Sequence, residues 1–152
     1  MGEQKVRAVM IVEVAGRPPE YIKQSLMNHT AQLRKVNGVE VIEETIHEPK
    51  KLKTGNNVYT CFSEIEFETT NFLRLMEIIF DFMPSSIEIL SPPELKLNIP
   101  EATSFVNTLA GRLHRYDEIA KIAKLQNQQL AKKLQEMQAE LMKKKRTKKK
   151  KN

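Results

Sequence analysis

The sequence predicts an α+β chain: a βαββαβ unit over residues 1–98, a long helix over 99–142 and a Lys-rich tail over 143–152. Three observations predict it. Apolar periodicity alternates between strand-like and helix-like in the order strand, helix, strand, strand, helix, strand. Beyond Pro100 an apolar repeat with steps of three and four runs to Leu141 without another proline. The last ten residues hold seven Lys and one Arg with no acid.

Val6 to Val14 is almost wholly apolar and rich in β-branched residues, as a strand buried on both faces is, and it stops at Gly16-Arg17-Pro18-Pro19. Proline at a first helical turn sacrifices no hydrogen bond, and Glu20 complements the helix dipole, so a helix starts here. Ile22, Leu26, Leu33 and Val36 form its apolar stripe, and Asn37-Gly38 ends it. Val39 to Glu48 mixes β-branched residues with acids, the pattern of a half-exposed edge strand. Pro49 to Asn57 reads as a hairpin connection. From Val58 to Glu68 residues alternate: Tyr59, Cys61, Ser63, Ile65 and Phe67 face one way, Val58, Thr60, Phe62, Glu64, Glu66 and Glu68 the other. Thr69-Thr70-Asn71 supplies a cap for a helix over Phe72 to Met83, which Pro84 terminates. Ile87 to Leu90 is a short fourth strand.

Right-handed crossovers put both helices on one face of a four-stranded antiparallel sheet. The other face then shows Arg7, Val9, Ile11 and Glu13 beside Val58, Thr60, Phe62 and Glu64. An apolar centre with a charged rim, covered by neither helix of this unit, implies a protein partner, a ligand or the rest of the chain.

Charge is unevenly spread. The chain carries 25 Lys and Arg against 19 Asp and Glu; eight of the bases lie in the last ten residues, leaving 17 against 19 in the rest. A uniformly basic nucleic-acid-binding domain is excluded, and a near-neutral body with a cationic tail remains. Cys61 is the only cysteine, so a disulfide scaffold is excluded and a reducing cytoplasm is expected. Arg74, Glu77 and Asp81 interrupt the richest apolar run before it reaches the ~20 residues that span a bilayer. Glu13 and Arg17 flank the first apolar run, unlike the order of a signal peptide.

In the long helix, Val106, Leu109, Leu113, Tyr116, Ala120, Ala123, Asn127, Leu130, Leu134, Met137 and Leu141 follow one another by alternating steps of three and four. That is a coiled-coil seam, with Leu113, Ala120, Asn127, Leu134 and Leu141 at position a and Leu109, Tyr116, Ala123, Leu130 and Met137 at position d. The lone Asn127 at an a position is a device for two-stranded parallel pairing. The expected partner is a second copy, a homodimer, with another chain as the alternative. Ile119, Ile122 and Leu125 lie off the seam and widen the stripe.

The tail residues Lys143, Lys144, Lys145, Arg146, Lys148, Lys149, Lys150 and Lys151 repel one another, so disorder is expected there. Eight cations can displace counterions from a phosphate backbone. No aromatic interleaves them, so base stacking and sequence readout are not expected. RNA, the ribosome or DNA is the expected partner.

Nothing points to catalysis. His114, Asp117 and Glu118 are within mutual reach on a helix but read as a surface polar network. His29 falls on the first helical stripe and reads as a histidine at the core boundary; Cys61 reads as buried and inert. Glu64, Glu66 and Glu68 sit ~6.6 Å apart along one strand, too far to share one ion. No cofactor or metal is called for. Gly16 and Arg17, before a helix N-terminus, form a possible anion-binding loop.

The segment Val12-Glu13-Val14-Ala15-Gly16-Arg17-Pro18-Pro19, then a helix and Val36-Asn37-Gly38-Val39-Glu40-Val41, resembles ACT-type and related ferredoxin-like regulatory domains. Ile87-Glu88-Ile89-Leu90-Ser91-Pro92-Pro93-Glu94-Leu95 is similar to the ferredoxin-like extension of WYL-type transcription regulators. The resemblance implies a ferredoxin-like sandwich over residues 6–97, self-association and amino-acid sensing at an interface. The function expected from the residues is a non-catalytic adaptor that dimerises through its helix and engages a polyanion with its tail. The alternative is an ACT-like small-ligand sensor acting on a protein partner.

Overall fold

In a computed structural model the chain is α+β, with an antiparallel sheet and a long C-terminal helix. The structure describes residues 4–53 and 57–149, with side chains as far as 145. Two compact units are formed, Met1–Phe105 and Val106–Asn152.

The first unit opens with β1 (Val6–Gly16), then α1 (Pro19–Ala31) and a 3-10 turn over Gln32–Lys35. β2 (Val39–Ile46), the two-residue β3 (Lys50–Lys51), β4 (Tyr59–Thr69), α2 (Phe72–Phe82) and β5 (Ser86–Ser91) follow. The sheet order is β2-β4-β1-β5, with β3 pairing the start of β4. β1 is central, as its largely apolar run implied, and pairs β4 along its whole length from Val6↔Thr69 to Gly16↔Tyr59. It is not buried on both faces as expected: both helices lie on one side, so Arg7 and Glu13 on the other are exposed and Val9 and Ile11 half-buried.

Period two decides the two faces of the sheet. On one, Val6, Ala8, Met10 and Val12 of β1 meet Cys61, Ile65 and Phe67 of β4, all buried. Ile22 and Leu26 of α1 join Leu75, Ile78 and Phe82 of α2 in the same core, so both helices bury their apolar stripes in one layer. α2 starts at Asn71, whose Oδ1 accepts from the Arg74 amide at 2.8 Å, and it stops at Met83, held left-handed at φ 49° ahead of Pro84. Gly38 takes φ 78° at the turn into β2, a conformation open to glycine.

Two further features of the sheet differ from expectation. β3 forms within the stretch read as a plain hairpin connection, because Leu52 donates to the Val58 carbonyl at 2.8 Å and draws Lys50 and Lys51 against β4. β2 carries a bulge between Val41 and Glu43. The extra residue, Ile42, resets the alternation, so Glu40 and Glu43 face the same way although three positions apart.

Helix α3 spans Ile99–Lys149. A reciprocal capping box starts it: Asn98 Oδ1 accepts from the Glu101 amide, and Glu101 Oε2 from the Asn98 amide, both at 2.9 Å. Its backbone continues through 143–149, part of the segment expected to be disordered. Lysine is a good helix former, and cations near a helix C-terminus complement its dipole.

Candidate functional site

The apolar stripe of α3 is mostly solvent-exposed. Leu113, Leu130, Leu134, Met137 and Leu141 are 56–61% exposed, Leu109 and Tyr116 are half-buried, and Asn127 is exposed. At 100° per residue these positions fall on one stripe of the helix. Ile119, Ile122 and Leu125 are exposed beside it. A stripe of this length is ordinarily buried against something.

The same helix carries the basic run. Lys143, Lys144 and Lys145 are exposed on it. Arg146, Lys148 and Lys149 are on its helical backbone, their side chains outside the described ones; Lys150 and Lys151 lie outside the described residues. Sequence position alone thus puts an apolar stripe and a dense positive charge on one element.

The uncovered sheet face is where the sequence reading was incomplete. Val9, Ile11 and Phe62 form its half-buried centre as expected. The rim is strongly acidic. Register places Glu40 opposite Glu68, Glu43 opposite Glu66 and Thr45 opposite Glu64, with Glu13 on β1 and Glu88 on β5 facing the same way. Lys5 reaches Glu68 at 2.6 Å and Arg7 reaches Glu66 at 2.5 Å, and Thr60 donates to Glu13. The Glu68 carboxylate, by hydrogen bond and then by charge, raises the Lys5 pKa above its ordinary value. Glu40 and Glu43 were missed because their parity is set by the bulge. The signal available was the pairing of an acid-rich β2 with an acid-rich β4.

Other candidates resolve into packing. A Cβ on Gly16 would stand 3.0 Å from Ile22 Cγ2, so glycine there lets α1 approach β1. Arg17 is exposed, and neither residue lines the open groove of about 560 Å³ between Pro19, Lys23, Met27, Glu48, Pro49 and Tyr59. His114 pairs with Glu118 at 3.3 Å and Asp117 with Lys121 at 2.5 Å, so the three do not converge. His29 is exposed and packs against the Phe82 ring, centroids 5.0 Å apart. His47 stacks on Phe62 at 4.2 Å. Cys61 is buried, its Sγ donating to the His47 carbonyl at 3.1 Å, and burial pushes its pKa up. Among the described residues no group of three or more His, Cys, Asp or Glu side chains is placed to hold a metal, and no helix is long and apolar enough to cross a membrane.

A family model, that of the MJ0538 family, matches residues 7–146. No curated protein is similar enough to match.

Proposed function

We propose that this chain, which belongs to the MJ0538 family, is a non-catalytic binding protein that dimerises through α3 and holds a polyanion, RNA or DNA, free or in a ribosome, with its cationic end. One observation carries this reading: an exposed apolar seam, regular in threes and fours from Leu109 to Leu141, leads directly into eight positive charges. The acidic sheet face supports it from the other side, since that surface repels phosphates and leaves the helix end as the place for them. With β3 set aside, the order β2-β4-β1-β5 has the connectivity of a ferredoxin-like sheet, which supports assigning the body to that class. A single, buried thiol fits a reducing compartment, and we take the cytoplasm as the location.

The test is fluorescence anisotropy with labelled RNA and duplex DNA over a salt series. If all eight cations engage, log K falls against log salt with a slope of about −7 on duplex and about −6 on single strands. Removing 143–152 should abolish that binding while leaving the dimer, measured by light scattering, intact. Binding that survives the deletion with its salt slope unchanged would refute the assignment to the tail. The ligand-sensor alternative has weaker support, because Gly16 and Arg17 do not border the groove beside them.

A further inference from the structure

We infer that two copies of α3 pair antiparallel over residues 109–141, so that the two cationic ends stand at opposite ends of the dimer and bridge two polyanion segments. This rests on the dimer proposed above and concerns its direction.

The seam decides between directions by its layers. In a parallel pair each residue faces itself. Ala120 then meets Ala120 and Ala123 meets Ala123 in adjacent layers, flanked by Tyr116 on Tyr116 and Asn127 on Asn127. Backbones held apart by leucine layers on either side leave voids at paired alanines, and voids cost stability. An antiparallel pair centred on Leu125 matches every seam residue from Leu109 to Leu141 with a partner, always a against d. Leu109 faces Leu141, Leu113 faces Met137, and Tyr116 faces Leu134. Ala120 faces Leu130, and Ala123 faces Asn127, so each alanine sits opposite a larger side chain. Asn127, which would face its own copy in a parallel pair and was expected to favour one, gives up that contact here; its amide, beside the Ala123 methyl group, keeps access to water at the edge of the seam, and the filled alanine layers outweigh the loss.

Charge acts the same way. Parallel helices 8–10 Å apart hold Lys143, Lys144 and Lys145 of the two copies within about one Debye length of each other. Antiparallel pairing separates the two Lys143 positions by about 54 Å, at 1.5 Å per residue from the centre, and removes that repulsion. Edge ion pairs act weakly the other way: a parallel dimer offers Arg112 to Asp117 and Glu140 to Lys145, an antiparallel one only Arg112 to Glu140, and exposed pairs of this kind contribute little.

The geometry predicts function of a particular kind. Cations side by side grip one stretch of polyanion with higher avidity, whereas cations ~50 Å apart join two stretches.

The test uses the full chain with Met142→Cys, an exposed position off the seam, carrying a spin label; buried Cys61 stays unlabelled, which the unsubstituted chain controls. Pulsed electron–electron resonance should give an intermolecular distance of about 50 Å. A distance below about 25 Å would mean parallel helices and overturn this inference, leaving the dimer standing. A monomer by light scattering would instead remove the dimer itself. Disulfide trapping gives a second reading: Leu113→Cys and Met137→Cys should cross-link to each other when mixed, and neither to itself. Self-cross-linking of each alone would refute the antiparallel layers.

Discussion

Cys61 shows how much a single position can be read in advance. Its place in the alternation of β4 puts it inward, and there it is fully buried, its thiol donating to the His47 carbonyl. Burial disfavours the thiolate, so we expect negligible reaction with a thiol reagent in the native protein and one equivalent after guanidinium unfolding. Phe67, on the same face, is the largest fully buried side chain. Phe67→Ala should cost about 3–5 kcal/mol in chemical denaturation, as the core cannot close over the space left. Lys5 is a surface case with a sign that can be worked out. Its pKa is raised by Glu68, so the pair's contribution is present below the ordinary value of 10.5 and is lost as pH rises through the raised one. Lys5→Met should therefore lower stability slightly at neutral pH and flatten its dependence on pH above about 10, read from denaturation midpoints.

Among the elements, β2 and β4 depart most from the sequence reading. Strand and helix positions were legible because apolar periods are local, and the caps at Asn71 and Gly38 are local too. The acidic character of the open face was not, because it depends on register and on the Ile42 bulge, which no local pattern signals. Parity alone groups Glu40 with Glu44. The structure instead sets Glu40 and Glu43 opposite Glu68 and Glu66, and turns Glu44 towards Arg34 at 3.2 Å. Like charges directly opposite destabilise a sheet. Glu43→Gln should thus stabilise the protein by a few tenths of a kcal/mol at low salt, with the gain fading above about 0.5 M salt as screening takes over. In α3 the helix itself and its stripe of threes and fours were legible, since that spacing needs no tertiary information. The continuation of helical backbone to Lys149 was not, because repulsion among lysines and their helix propensity oppose each other and the sequence does not show which prevails.

On the scale of the whole molecule, the charges are segregated: a glutamate-rimmed sheet in one unit and a lysine-rich helix end in the other. A chain arranged in this way should bind polyanions with strong salt dependence yet show little affinity for them through residues 1–105, which competition between the full chain and its 143–152 deletion would report. The bulge in β2 has one more consequence. β2, with the two-residue β3 along the same side of β4, and β5 form the margins of the sheet, and an open margin offers unpaired backbone groups to any neighbouring strand. On β2 the kink at Ile42 interrupts a straight run of such groups, and Glu40, Glu43 and Glu44 on the margin itself make the approach of an identical margin repulsive. The other margin, β5, is six residues long. Both are poor templates for fibre growth, so concentrated protein should stay free of cross-β aggregate until the fold itself opens.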